Sequence, residues 1–344
     1  MAGDLVLLTG GTGFLGYAIL VDLLKSGYRV RVAARSQSKI DKVRAAPSIS
    51  MLKPPPTQLM FVIVPDMAVS GAYDDAVKGV DFIIHAAARV HNGDAPPSKS
   101  ELEELFVTPS LQGSLGILRS AMMEGESVRR VVMTSSTVAI APTEVYTTST
   151  KSPEHEVKRG PETRVAIPAP PYTSELQAYC VGKAAALNAA EAFVKENNTG
   201  FDMISIIPSC ILGRHELVTD TKNMSANDSS AILIDLLAGG QGMGGVGNAV
   251  LCADVARAHV KALEPDIEGN QSFLANTEVE WEDVVPIAKK YFPDAFNSGV
   301  FREGGRKPTI PISWDSSKVC DNYHNSRLRL WLISAAIDAR YSCH

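Results

Sequence analysis

Thr9-Gly10-Gly11-Thr12-Gly13-Phe14-Leu15-Gly16 follows the apolar run Leu5-Val6-Leu7-Leu8 and leads into Tyr17-Ala18-Ile19-Leu20-Val21-Asp22-Leu23-Leu24, whose apolar residues recur at helical spacing. A strand that feeds a glycine-rich turn into a helix N-terminus is the local geometry that receives a dinucleotide pyrophosphate. Gly10 permits the tight turn, Gly13 lets the backbone approach the phosphates, and Gly16 lets the helix pack close to the strand. Unpaired N–H groups and the positive end of the helix dipole then face the anion. Thr12, Phe14 and Leu15 complete this candidate cofactor-binding turn.

Outward from the turn, strand and helix signals alternate through the first half of the chain, the pattern of a parallel sheet covered on both faces. Apolar strands are expected at residues 29–33, 59–64, 80–86, 130–134 and 203–207, with helices over about 101–123 and 174–195. The fold expected is α/β, a Rossmann-type doubly wound parallel sheet with a smaller C-terminal α/β substrate lobe. Residues 1–207, with parts of 249–265, are expected to form the nucleotide domain and 208–320 mainly the substrate lobe, with 321–344 an atypical tail. The proline-rich stretch 141–171 reads as an irregular surface loop, expected to act as a substrate-side flap. The glycine-rich stretch 239–247 reads as a linker or turn before a strand at 249–252.

A net charge of −5, from 38 acidic and 33 basic residues, offers no basic excess for nucleic acid. Five cysteines without a Cys-x-x-Cys pair read as reduced thiols, and the seven dispersed histidines form no metal-ligand spacing. No signal peptide is expected, and the apolar run at 330–337 is far short of the about 20 residues that span a bilayer. The expected setting is cytoplasmic, with no membrane partner.

Tyr179 and Lys183 stand four residues apart, on one face of a helix. A positive charge near a tyrosine favours its phenolate and lowers its pKa from about 10, giving a proton donor usable near neutral pH. Ser135 and Ser136 follow the strand at 130–134, where a hydroxyl can hydrogen-bond a carbonyl oxygen beside the tyrosine. Neither serine lies in a Gly-x-Ser-x-Gly elbow. After the second strand the chain has Arg35 and, one helical turn on, Lys39, with no carboxylate for a ribose 2′-hydroxyl. The forked donor of Arg35 suits a 2′-phosphate, so NADPH (or NADP+) is the expected cofactor. His85 and His259 read as packed, hydrogen-bonded residues, and Cys180 and Cys210 as small filler.

These residues resemble the extended short-chain dehydrogenase/reductase family, most closely its dihydroflavonol-4-reductase-like branch with the cinnamoyl-CoA reductases and the fungal and yeast aldehyde or ketone reductases. The likeness runs in order over about residues 5–290. Thr9–Gly16 is followed by His85-Ala86-Ala87-Ala88, Pro109-x-x-x-Gly113-x-x-x-x-Leu118 and Thr134-Ser135-Ser136. Tyr179-x-x-x-Lys183, Pro208-Ser209 with Leu212-Gly213, and Asp254-Val255-Ala256-Arg257-Ala258-His259 complete it. The resemblance implies a Ser–Tyr–Lys triad in which Tyr179 donates a proton as hydride arrives and Lys183 lowers the tyrosine pKa and binds the nicotinamide ribose. Ser136 orients the carbonyl, with Ser135 as the fallback. It also implies cofactor contacts at Asp66 and Met67 near the adenine, along Ala86, Ala87 and Ala88, and at Pro208 and Ile211.

The implied activity is reduction of a ketone or aldehyde on a small organic molecule, such as a polyketide or aromatic metabolite, by a monomer or homodimer. Alternatives are a nucleotide-sugar epimerase or dehydratase, a 3β-hydroxysteroid-type dehydrogenase, or a non-catalytic NADP(H)-binding protein. Sugar dehydratases of this family carry Asp-Glu after the catalytic hydroxyl, where this chain has Thr137-Val138. The substrate pocket is expected along 141–172, the residues after Ile211, and the neighbourhood of 88–92. Beyond Val319 the likeness ends.

Overall fold

A computed structural model describes residues 3–88, 97–218 and 229–320. The C-terminal tail expected to be atypical, and residues 89–92 of the expected substrate pocket, lie outside the described residues.

The strands are β1 (Leu5–Thr9), β2 (Arg29–Ala34), β3 (Leu59–Ile63), β4 (Phe82–His85), β5 (Arg130–Thr134), β6 (Asp202–Pro208), β7 (Cys210–Leu212), β8 (Gly245–Val246), β9 (Asn248–Leu251), β10 (Gln271–Ala275), β11 (Thr277–Glu278) and β12 (Thr309–Ile310). The helices that place the site are α1 (Phe14–Lys25), α2 (Gln37–Ala45), α3 (Pro47–Leu52), α4 (Thr108–Glu124), α5 (Glu144–Thr147), α6 (Glu175–Glu196), α7 (Ala231–Leu237), α8 (Cys252–Lys261) and α9 (Val284–Tyr291).

Seven strands form one sheet in the order β10-β6-β5-β4-β1-β2-β3, and every pairing in it is parallel. The expected doubly wound sheet is thus present. Its strands are short and nearly all apolar because helices cover both faces. One face buries Val6, Leu8, Val30, Val32 and Ile84 against Ile19, Leu20 and Leu23 of α1 and Val255 of α8. The other buries Leu5, Leu7, Ile83, Val131 and Met133 against Ile117, Leu118 and Ala121 of α4. Alternate residues of β1 therefore feed two separate cores. The strand order reverses between β1 and β4, which opens a crevice at their carboxyl ends, where open α/β sheets bind ligands.

Several expected boundaries shift. The stretch 101–123 is one helical track, but it opens with a π-helical turn at Glu103–Val107 before α4. Pro109 supplies the reason. It has no N–H for the carbonyl of Leu105 and its ring crowds that carbonyl, so the turn widens and the Thr108 N–H donates to Glu103, five residues back. Cys252 begins α8 rather than ending a strand. The glycine-rich stretch is more than a linker, since β8 lies within it and pairs in parallel with β12.

The stretch 141–171 is also more ordered than its composition suggests. It contains α5 and a 3-10 turn at Pro153–His155. His155 is buried, with Nε2 3.0 Å from the Val145 carbonyl. Arg159, also buried, donates to the carbonyls of Glu154 and Val157 at 2.6 and 3.2 Å. These ties order the first part of the stretch, while residues 163–169 have neither helix nor strand.

Candidate active site

At the end of β1 the chain turns at Gly10, whose φ of +74° is a left-handed conformation that glycine adopts without strain. A Cβ there would stand 2.6 Å from the Ala86 backbone carbon, so the two lips of the crevice meet at this residue. A Cβ on Gly16 would collide with the Gly10 carbonyl, which is why α1 can start so close to the strand. Gly13 is the N-cap of α1, and no side chain caps that end. The helix N-terminus therefore presents backbone N–H groups to a cleft of about 620 Å³.

Gly10, Thr12, Gly13, Phe14, Leu15 and Gly16 all border that cleft. So do Arg35 and Lys39 at its basic end, Asp66 and Met67 after β3, and Ala86, Ala87 and Ala88 after β4. Pro208 and Ile211 do not border it: Pro208 ends β6 and Ile211 packs against the main core. Lys42, on the same side of α2 as Lys39, was missed. Its i+3 spacing from Lys39 was the available signal. His215, Leu217 and Val218 also border the cleft and arrive from beyond β7, which no local pattern announces.

An uncapped helix N-terminus at one end, a 2′-phosphate-sized basic end with no carboxylate on β2, and glycines at the points of closest approach fit a phosphorylated dinucleotide.

The carboxyl ends of β1 and β4 are tied by one hydroxyl. Thr9 Oγ1 lies 2.9 Å from His85 Nδ1 and accepts from the Ala87 N–H at 3.2 Å. Burial pushes the His85 imidazole down to about 3, with the Lys183 charge adding to the effect, so it stays neutral. His85 and His259 are packed and hydrogen-bonded, as expected.

Tyr179 and Lys183 sit on α6, whose N-cap Ser174 accepts from the Gln177 N–H at 3.2 Å. Gly182, between them, faces the π-helical turn, and a Cβ there would lie 2.7 Å from the Phe106 carbonyl oxygen. That close approach holds the Tyr179–Lys183 face against the start of α4. Ser136 caps the short 3-10 turn after β5, where the Val138 N–H points to its Oγ at 3.4 Å, and its hydroxyl stands near enough to Tyr179 to favour the phenolate. Ser135 points elsewhere. Its buried Oγ has no protein partner and faces a small cavity of about 30 Å³, room for a water molecule, which Lys183, Thr134, Ser110, Ser114 and Ser205 also line. Met67, Ala87 and Ala88 border both this cavity and the larger cleft, so the two adjoin at these residues, with Lys183 on the wall of the smaller.

The electrostatics correct one expectation. Tyr179 is not acidified: crowding by protein raises its phenol to about 12 although 37% of the residue is open, the neighbouring Cys180 and Cys210 add to the rise, and only the Ser136 hydrogen bond opposes it. Lys183 instead absorbs the perturbation, burial lowering its ammonium to about 8. Cys180 is buried with its thiol raised to about 11, which suits a filler. A second cavity of about 500 Å³ opens in the C-terminal lobe, walled by Leu212, Leu233, Trp281 and Ile312 with Glu278 and Glu280 among its borders.

The family model for the NAD dependent epimerase/dehydratase family matches residues 6–273. The ketoreductase CTB6 of Cercospora nicotianae is 36% identical over 90% of this chain and 86% of its own length. The NAD-dependent epimerase/dehydratase ALT6 of Alternaria alternata is 33% identical over 87% and 82%. Among solved structures, Gre2 of Candida albicans in complex with NADPH superposes with a TM-score of 0.79 at 22% identity, covering 99% of both chains, a likeness of fold. The chain belongs to the NAD-dependent epimerase/dehydratase family, the extended short-chain dehydrogenase/reductases, and is an oxidoreductase that works with a nicotinamide dinucleotide.

Proposed function

We propose that this protein reduces a ketone or aldehyde on a small organic molecule to the alcohol, with NADPH as reductant and Tyr179, Lys183 and Ser136 as catalytic residues. The observation that carries the reading is the nearness of Tyr179 to Ser136 at the end of β5, one helical turn from Lys183, which lines a small cavity sharing Met67, Ala87 and Ala88 with the dinucleotide cleft. The relationship to CTB6, named a ketoreductase, supports the same class of reaction.

The nicotinamide supplies a hydride to the carbonyl carbon when bound. Ser136 Oγ–H holds the carbonyl oxygen by a hydrogen bond, and Tyr179 Oη–H delivers its proton to that oxygen. A phenol near 12 is a poor acid by itself. The alkoxide that forms is far more basic, so transfer runs downhill, and the Lys183 ammonium stabilises the phenolate left behind. Arg35 and Lys39 hold the 2′-phosphate, and the α1 N-terminus holds the pyrophosphate. Thr137 and Val138, which follow Ser136, provide no carboxylate for the acid–base steps of a sugar dehydratase.

The test is NADPH consumption against aromatic aldehydes, 2-oxoaldehydes, β-keto esters and flavonoid ketones. We expect turnover on at least one class, abolished in Tyr179→Phe. No turnover across the panel, or equal turnover in the variant, overturns the reading.

A further inference from the structure

Residues 213–218 leave β7, cross from the C-terminal lobe and pass over the opening turn of the nucleotide half. The His215 ring lies 5.1 Å from the ring of Phe14, and His215, Leu217 and Val218 border the cleft beside the glycine turn. Leu217 is buried in the same core as Ile19 and Leu20. The stretch is therefore a strap across the dinucleotide cleft rather than an excursion into solvent.

Both ends of the strap are fastened. At its start, Ser230 Oγ donates to the Gly213 carbonyl at 3.2 Å and accepts from the Gly213 N–H at 3.4 Å. Gly213 has φ +158°, and a Cβ there would press on the Cys252 Cβ at 3.0 Å. At its far end a single carboxylate makes three bonds to the nucleotide half. Glu216 Oε2 accepts from the Tyr17 hydroxyl at 3.0 Å and from the Ser48 N–H at 3.1 Å, and Oε1 accepts from the Ser48 hydroxyl at 2.8 Å. Tyr17 lies in the first turn of α1, directly after the glycine turn, and Ser48 opens α3. Burial and the Glu216 charge raise the Tyr17 phenol well above its ordinary range, so it remains a donor. No step of the reduction needs Glu216, yet it ties the cleft-lining residues His215, Leu217 and Val218 to α1 and α3.

We propose that Glu216 is a cofactor-positioning residue: its three hydrogen bonds latch the 213–218 strap over the dinucleotide, and the opening of that latch sets how fast the dinucleotide leaves. The inference rests on the reading of the cleft as a dinucleotide site and adds to it a control on residence time. Because the latch grips the strap and not the ligand, it acts equally on phosphorylated and unphosphorylated dinucleotides, unlike Arg35 and Lys39.

Stopped-flow displacement, followed by NADPH fluorescence, measures the dissociation rate in wild type, Glu216→Ala, Glu216→Gln and the double variant Tyr17→Phe/Ser48→Ala. Glu216→Ala is expected to raise the rate at least tenfold, since losing three hydrogen bonds of ordinary net worth exceeds a factor of ten. Glu216→Gln is expected within threefold of wild type, because its amide oxygen accepts from Tyr17 and the Ser48 N–H while its NH₂ donates to the Ser48 hydroxyl. The double variant, which leaves the strap sequence intact, is expected to lie between them and serves if Glu216→Ala does not fold. The ratio of NADPH to NADH affinity is expected to stay within twofold throughout. A merely structural role lowers the melting temperature and leaves the dissociation rate within twofold of wild type, which overturns the proposal. A wild-type protein that binds no NADPH overturns the dinucleotide reading and this inference with it.

Discussion

His259 Nε2, on α8, stands 2.7 Å from the hydroxyl of Thr134, the last residue of β5 and the immediate neighbour of the Ser135–Ser136 pair. The other ring nitrogen, Nδ1, lies 2.7 Å from the Val255 carbonyl one helical turn back. A carbonyl only accepts, so Nδ1 carries the proton and Nε2 receives the Thr134 hydroxyl hydrogen. The far face of the sheet thus reaches through to the strand end that holds the site. His259→Phe strands the Thr134 hydroxyl and is expected to cost about 1–3 kcal/mol in urea unfolding, with a smaller loss for His259→Gln.

The same imidazole predicts an acid sensitivity. Burial lowers His259 from 6.5 to about 4 and His85 from 6.5 to about 3. Each binds its proton more readily in the unfolded chain, so the stability tied to its neutral form is complete above about pH 6.5 and is lost as the pH falls toward 4. Urea midpoints are expected to drop steeply over that window. A slope unchanged in His259→Phe excludes this histidine as a source.

Lys183 predicts an alkaline limb. Its ammonium is held at about 8, so the charged form that supports the Tyr179 phenolate declines above that pH. The kcat/KM profile is expected to fall above about pH 8, and Lys183→Met is expected to abolish the limb along with most of the rate.

Tyr179→Phe removes the proton donor and leaves the cleft intact. Turnover is expected to fall about 10²–10⁴-fold, the usual worth of a positioned acid, with NADPH affinity by fluorescence titration within threefold of wild type.

Arg35→Ala is expected to weaken NADPH binding at least tenfold while NADH binding changes little, reading out the 2′-phosphate contact directly. Equal losses for both cofactors count against the assignment.

Gly182→Val places a side chain against the Phe106 carbonyl and must push α6 away from the π-helical turn. Both stability and kcat are expected to fall, while Val181→Ile, one residue earlier, is expected to keep the rate.

The glycine turn, six of the seven parallel strands and the Tyr179–Lys183 spacing were legible because each is a local pattern with a fixed period, whereas the edge strand β10 was not expected. Arg35 was legible from its place after β2, while Asp66, Met67 and Ala86–Ala88, which also border the cleft, were expected from the family resemblance. What the sequence concealed depends on distant partners. The widened turn before α4 has the same apolar spacing as a regular helix, and only the proline ring forces it. The Tyr179 pKa went in the opposite direction to the expectation because spacing reveals the ammonium but not how much protein surrounds the phenol. Glu216 meets Tyr17 across 199 residues and Ser48 across 168, a juxtaposition that no window of sequence contains.

β10 lies at the edge of the main sheet beside β6, although the C-terminal lobe is built partly before it, from β7 to β9, and partly after it, from β11 to β12. The polypeptide thus leaves the nucleotide half, assembles part of the second lobe and returns to finish the first. The two halves are stitched together and are not a pair of detachable modules. A chimera that imports another reductase's specificity as one C-terminal cassette would carry away α8 and β10, which the host core and sheet need, so grafts in this protein belong in the segments around them, with Cys252–Lys261 and Gln271–Ala275 left in place.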